Sequence, residues 1–391
     1  MSLHFIYRQM TRGAWKAIQI LILCAGLVSL GRAQAPTPPG PDTIVFTTGE
    51  KLAGHFVRST SSSVTFKSDA LGDLKIDWSK VKDLQTSAKV AVIRKGVKLR
   101  MKETPTNVPE GTLAVQDQKL QIMPVPGETA QSVPIADSAV VLDQAAFRRA
   151  LTRNPGFMSD WTGTITAGGT LIEATQNNRA LTGTVNLIRT EPTEEWLNPS
   201  YRTSLLFSGA YGELTQPRTP TIKTSIFHAG IEQDQYFTPS VFAFGQAAFD
   251  HNYSQGLDVQ QTYSAGIGWT VIKTETQELD LKTSISYIRR QFLTGPSGVE
   301  PPSMNLIGSV FGEHYQRNLP RGMVLNENLA LAPTWNNTSA YSGLFNTLLT
   351  IPVFKRFSGS VGVTDTFLNN PPGGYQKNSF QFTLGITYKL Q

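Results

Sequence analysis

A chain of 391 residues with 35 Lys and Arg against 29 Asp and Glu carries a formal net charge of +6 and a single cysteine. Arg8, Arg12, Lys16 and Arg32 all lie in the first 33 residues, which read as a secretory signal. The mature chain then holds 31 basic against 29 acidic residues, and no basic patch argues for nucleic acid. Cys24 leaves with the same segment, which excludes disulfide and thiol chemistry from the mature chain.

The signal has the expected parts. Arg8, Arg12 and Lys16 form a basic start, Ala17 to Leu30 form an apolar core, and Gly31-Arg32-Ala33 offers small residues where a signal peptidase reads. The apolar run is shorter than the roughly 20 residues a spanning helix needs. Residues 35–41 (Ala-Pro-Thr-Pro-Pro-Gly-Pro) make a short, stiff spacer.

From 42 to 86 the pattern predicts a small β module of SH3-like or Sm-like type. Ile44 and Phe46, then Leu52 and Phe56, alternate around the turn signal Thr48-Gly49-Glu50. Val64 and Phe66 make a further strand, and Leu74, Ile76 and Trp78 alternate after Gly72-Asp73. Residues 89–145 read as a second, degenerate copy of that module, or as a linker. Val90 to Ile93 precede Gly96 as Ile44 to Phe46 precede Gly49, while Pro105, Pro109, Pro124, Pro126 and Pro134 fit an irregular connection. Both alternatives stay open at this point. Asp143 to Leu151 has the composition of a short helix leading into the next domain.

Composition shifts at about 157, and residues 157–391 are expected to form a transmembrane antiparallel β-barrel of about 12 strands. The strand-like segments lie near 160–171, 179–190, 200–211, 221–232, 241–250, 259–272, 278–290, 304–316, 322–332, 340–352, 357–368 and 378–390. An even number is what single-chain bacterial barrels use. Successive strand side chains point to opposite faces, so alternation reports one oily and one wet surface. Tyr263, Ala265, Ile267, Trp269 and Val271 oppose Thr262, Ser264, Gly266, Gly268 and Thr270; Leu281, Ile285 and Tyr287 oppose Asp280, Lys282, Ser284 and Ser286. Two charges break the pattern: Glu327 shares a phase with Leu325 and Leu329, and Asp365 with Val363 and Phe367. A bulge, an inverted phase or a position near the headgroups has to resolve each, because charge in mid-bilayer is costly.

The last strand is the cleanest. Phe380, Phe382, Leu384, Ile386, Tyr388 and Leu390 fall on one face; Ser379, Gln381, Thr383, Gly385, Thr387 and Lys389 fall on the other. Taken alone, it also fits an ordinary sheet edge. It is similar to the C-terminal signal that outer-membrane barrels present to their assembly machinery, with the difference that Leu390 and Gln391 follow the final aromatic.

Short motifs carry a family resemblance. Asp160-Trp161-Thr162-Gly163, then Gly168-Gly169, the polar tip Ala174-Thr175-Gln176-Asn177-Asn178, and Thr182-Gly183-Thr184-Val185-Asn186 resemble the YdiY-like family of salt-induced outer-membrane proteins. The module around Gly49-Glu50-Lys51-Leu52-Ala53-Gly54 and Gly72 to Trp78 resembles those that precede this barrel. The resemblance implies the cell outer membrane, with the amino-terminal part in the periplasm, and a link to salt or envelope stress.

Chemistry is sparse. Of the histidines, His55, His228, His251 and His314 lie beyond the signal, and none is followed by serine at the spacing of an outer-membrane phospholipase. Asp250-His251 and Glu313-His314 are adjacent pairs, whose side chains diverge on a strand, and no triad or dyad has a spacing that puts a histidine and its partner together on the lumen face. No cluster has metal-ligand spacing and no glycine-rich loop cradles phosphate. The expectation is therefore a non-enzymatic envelope protein, a structural barrel or passive pore, with no catalytic residue, cofactor or metal. Its expected partners are outer-membrane lipid and, through the C-terminal strand, the barrel assembly machinery; nucleic acid is not among them, and oligomeric state is open. The alternative is a lipid-modifying barrel enzyme of lipase or deacylase type with an unidentified site.

Overall fold

A computed structural model of the chain describes residues 40–105, 107–123, 130–173, 177–216, 218, 220–274, 276–294, 298 and 301–390. Residues 1–39, on which the expected signal and most of the expected spacer fall, and the tip residues 174–176 lie outside the described residues.

The amino-terminal part is one sheet. Its strands are β1 (Asp42–Phe46), β2 (Lys51–Thr60), β3 (Ser63–Ser68), β4 (Gly72–Asp77), β5 (Val81–Arg94), β6 (Glu110–Gln116), β7 (Lys119–Met123), β8 (Gln131–Pro134) and β9 (Ser138–Asp143). They run in the order β4-β3-β2-β1-β5-β6-β7-β8, with β9 pairing β2 and β5. Two turns need glycine: Gly49 sits at φ +95° and Gly72 at φ +74°, a region that side chains with a Cβ avoid. The long strand β5 crosses the stretch between 86 and 89 and is shared by both halves, pairing with β1 on one side and β6 on the other. One apolar core follows from that sharing. Ile44, Phe66, Trp78 and Leu84 of the first half pack in the same cluster as Leu113, Leu120, Ile122 and Val141 of the second. Asp42 is a buried charged residue of this sheet; its carboxylate accepts from the backbone N–H of Phe56 and of Ser87, both at 2.7 Å, and so pins β1 between its neighbours.

A helix, α1 (Gln144–Thr152), follows at once. Asp143 caps it by accepting from the backbone N–H of Ala146 at 2.9 Å, satisfying one of the donors a helix start leaves free. Its apolar face, Phe147 and Leu151, is buried.

Twelve strands then close a barrel: β10 (Trp161–Glu173), β11 (Asn177–Glu191), β12 (Tyr201–Thr215), β13 (Ile222–Tyr236), β14 (Val241–Asn252), β15 (Leu257–Lys273), β16 (Gln277–Phe292), β17 (Met304–Asn318), β18 (Val324–Ala332), β19 (Ser342–Phe354), β20 (Phe357–Leu368) and β21 (Asn378–Leu390). These are the twelve segments expected from alternation. Each strand pairs antiparallel with the next, and β21 returns to β10 from Gly163↔Leu390 to Ala167↔Ile386. The hydroxyls of Thr166 and Thr387 meet across that seam at 2.8 Å. Closure removes every free edge, which is what lets strands cross a bilayer without unpaired backbone groups.

The outer wall is oily. Phe380, Phe382, Leu384 and Ile386 are exposed, as are Ile267, Trp269, Leu281, Ile285 and Tyr287 on β15 and β16. The two anomalous acids keep their expected phase. Glu327 pairs with Tyr315 and Thr347, and Asp365 with Phe345 and Phe380, with no register shift at either. Each lies three residues from a strand end, Glu327 from Val324 and Asp365 from Leu368. At roughly 3.3 Å per residue that is about 10 Å of strand; the registers leave no bulge or inverted phase at either acid.

The barrel end at which β10 begins, the near end, carries the amino-terminal part. Phe147 of α1 packs on Trp196 with ring centroids 5.4 Å apart, and Leu197 is buried in the same cluster as Leu99, Leu142 and Leu151. Trp196 and Leu197 belong to the connection 192–200 between β11 and β12, the longest at the near end. The connections 237–240, 274–276, 319–323 and 355–356 are shorter. The long connection at Pro192 is the seat for α1. Arg100 adds a tie to the next turn, donating to the carbonyl of Phe237 at 2.9 Å.

Candidate functional site: a bridged barrel lumen

Alternation places one wet face of every strand inside the barrel, and register decides which of those side chains meet. At the near end, Arg202 of β12 points inward. It donates from Nε to Asp234 of β13 at 2.6 Å, from Nη2 to Asp280 of β16 at 2.7 Å and from Nη1 to Glu278 of β16 at 3.2 Å. β12 and β16 are separated in the sheet by three strands. The guanidinium therefore crosses the lumen. Both aspartates are fully buried, and a fork-shaped donor set is the geometry that suits two carboxylates at once.

Aromatic rings frame the bridge. The Arg202 guanidinium carbon lies 5.1 Å from the ring centre of Phe242 and 5.7 Å from that of Tyr236, within cation–π range. Phe242 is fully buried and its ring lies over Gly268, where a Cβ would have no room. That close approach is the reason for glycine at 268. One step further in, Lys282 pairs with Glu232 and sits 5.6 Å from the Phe244 ring centre. His314, opposite Asp280 in register, bonds through Nδ1 to Asn328 Oδ1 at 2.8 Å.

The far half of the lumen is also crossed. Arg290 is fully buried; its Nε donates to Gln260 Oε1 at 2.8 Å and its Nη1 to the carbonyl of Ala340 at 3.2 Å. Ala340 lies in the connection between β18 and β19, which thereby folds inward over the mouth. Apolar side chains fill the space around it: Leu257, Phe292 and Leu368 in one cluster, Ile288 and Leu306 with Ala340 in another. Gln255 ties the β14–β15 turn to the opposite wall, donating to the carbonyls of Thr366 and Lys377, each at 2.8 Å.

One pair was not legible from linear spacing. His228 Nδ1 lies 2.6 Å from Asp250 Oδ1. The two face each other across β13 and β14, and Ser208 of β12 is the partner of His228 on the other side. The expectation that no histidine joins a carboxylate on the lumen face is corrected here, because cross-strand register joined residues 22 positions apart. Among the described residues no hydrogen bond joins Ser208 to His228. The adjacent pairs diverge as expected: His251 stacks on the outer-face Phe227 with centroids 5.0 Å apart, and Glu313 pairs with the outward Leu281 and Leu329. No group of three or more His, Cys, Asp or Glu among the described residues is arranged to hold a metal ion.

A closed twelve-strand barrel with an apolar outer wall and a charged, hydrogen-bonded interior is a transmembrane β-barrel of the outer-membrane type. The family described as "Protein of unknown function, DUF481" matches residues 165–390, more than half the chain, and the protein belongs to that family, the one its short motifs resemble. No curated protein matches it. Among solved structures the chain is similar to the NanC porin, at 8% identity and a TM-score of 0.35 over 58% of this chain and 100% of that chain. It is similar to the translocator domain of the autotransporter NalP from Neisseria meningitidis, at 13% identity and a TM-score of 0.33 over 58% of this chain and 87% of that one. A third likeness is to the beta domain of the Bordetella autotransporter BrkA, at 10% identity and a TM-score of 0.27 over 59% and 98%.

Proposed function

We propose that the protein is a non-enzymatic, structural barrel of the bacterial outer membrane whose lumen is closed by its own side chains. Its amino-terminal sheet stands on the periplasmic side, and the barrel holds that sheet at the membrane. The observation that carries this reading is the Arg202 bridge from β12 to Asp280 of β16, backed at the far end by Arg290 and the inward connection at Ala340. A passive pore needs a continuous wet path, and these groups cross it. The role in salt or envelope stress follows the family resemblance and takes the form of mechanical attachment. Swelling of vesicles loaded with the purified protein tests it: sugars of increasing size should enter no faster than into empty vesicles. Size-dependent swelling would return the protein to the pore class.

A second reading rests on the His228–Asp250 pair, a base with its orienting carboxylate. On that reading Ser208 would be the nucleophile of a hydrolase. A fluorophosphonate probe that labels the folded protein and fails to label Ser208→Ala would favour it; the structural reading expects no labelling.

A further inference from the structure

The segment between α1 and the barrel presents two large apolar side chains to the outside. Phe157 is 68% exposed and Met158 84% exposed. The turn that holds them is fixed by polar ties rather than left loose. Arg189 donates from Nε to the carbonyl of Ser159 at 3.0 Å and from Nη2 to that of Gly156 at 3.3 Å. Trp161 Nε1 donates to the carbonyl of Phe157 at 2.8 Å. Arg153 reaches Asp160 at 2.6 Å and Thr193 at 2.7 Å, which closes the base of the turn.

Register shows which side of the wall the turn occupies. Trp161 pairs with Arg189, and Arg189 with Thr203, one residue out of phase with the lumen-facing Arg202. Trp161 and Arg189 are therefore on the outer face. Phe157 packs edge-on against Trp161 with centroids 5.9 Å apart and lies under the Arg189 guanidinium at 6.0 Å. The turn thus extends the lipid-facing wall past the first residue of β10. Exposed outer residues flank it at the same rim, among them Tyr201, Phe354 and Phe357. Aromatic rings with one polar edge favour the boundary between headgroups and acyl chains. Among the described residues, none covers Phe157 and Met158 enough to remove them from water.

We propose that Phe157 and Met158 are a lipid anchor, inserted into the headgroup–acyl boundary of the leaflet on the amino-terminal side. This rests on the membrane reading above and adds a function to the linker: it fixes the level at which α1 and the amino-terminal sheet meet the bilayer. A short interfacial insertion of this kind gains affinity from buried apolar area and needs no spanning segment.

Single-cysteine labelling tests it. In the chain carrying Cys24→Ser, an environment-sensitive fluorophore is placed at Met158→Cys, at Leu384→Cys in the middle of β21, or at Asp73→Cys on the outlying strand β4. Each protein is reconstituted into phosphatidylcholine vesicles with a doxyl quencher at carbon 5 or carbon 12 of the acyl chain. The Met158 label should be quenched at least twofold more than the Asp73 label, and more by the shallow quencher than by the deep one. Quenching at Leu384 with none at Met158 would overturn the anchor and leave the membrane barrel standing. No quenching at Leu384 would overturn the membrane reading, and the anchor with it.

Discussion

Arg202 and Asp280 face each other across the barrel lumen at 2.7 Å, from strands that three others separate in the sheet. The contact ties two walls that share no backbone hydrogen bond. Removing the arginine leaves Asp234 and Asp280 buried without their counter-charge, and breaking a buried pair in this one-sided way costs about 3–5 kcal/mol. Arg202→Ala should therefore unfold at lower urea than the wild type in detergent micelles, followed by the gel shift of heat-modifiable barrels. Adding Asp234→Asn and Asp280→Asn should recover much of the loss. No recovery would mean that packing on Phe242 and Tyr236, rather than charge, is what Arg202 supplies.

Neighbouring residues on β21 should differ sharply. Phe382 points outward and Gln381 inward. Phe382→Asp puts a charge against lipid and should cost on the order of 2 kcal/mol, beyond the loss of the ring. Gln381→Asp puts the same charge on the wet face and should assemble normally. Folded yield in vesicles, read as the fast-migrating unboiled band, decides it; equal yields would contradict the assigned phase of the strand.

The seat between α1 and the barrel should control access to the linker. Phe147 is fully buried against Trp196, and truncating a buried phenylalanine costs about 3–5 kcal/mol. Phe147→Ala should leave the barrel gel shift intact and speed tryptic cleavage after Arg153 at least tenfold. Unchanged cleavage would mean that the ties from Arg153 to Asp160 and Thr193 hold the junction by themselves.

Much of the barrel was legible because strand alternation is a local property. Tyr263 to Val271 and Phe380 to Leu390 each announce their outward face without reference to any neighbour, and the twelve segments follow. The reason for the connection at Pro192, by contrast, was not legible. Its length answers to α1, which lies some forty residues earlier in the chain. The lumen contacts were not legible. Which inward residue meets which depends on the register of several strands in series, and Arg202 reaches Asp280 only after β13, β14 and β15 have been laid down in order. His228–Asp250 is the same case at shorter range. Glycines at 49 and 96 suggested a repeat, but the sharing of β5 by one sheet was not legible. A strand that belongs to two half-sheets looks in sequence like one strand followed by another.

The histidines should be dispensable for assembly. His228 and Asp250 pair on a partly exposed part of the lumen wall, where a single polar pair contributes little. Changing His228, His251 and His314 together to Ala should leave the heat-modifiable band unchanged. Loss of the folded band in the triple variant would give these residues a structural weight that their surroundings do not predict.

Current through single molecules in a planar bilayer bears most directly on the closed lumen. The wild type should insert, as shown by protection of the barrel from protease, and yield no sustained conductance steps. Arg202→Ala combined with Arg290→Ala, which removes the arginine crossing at each end, should yield steps of uniform size. A stable, ion-conducting open state in the wild type would contradict the closed lumen.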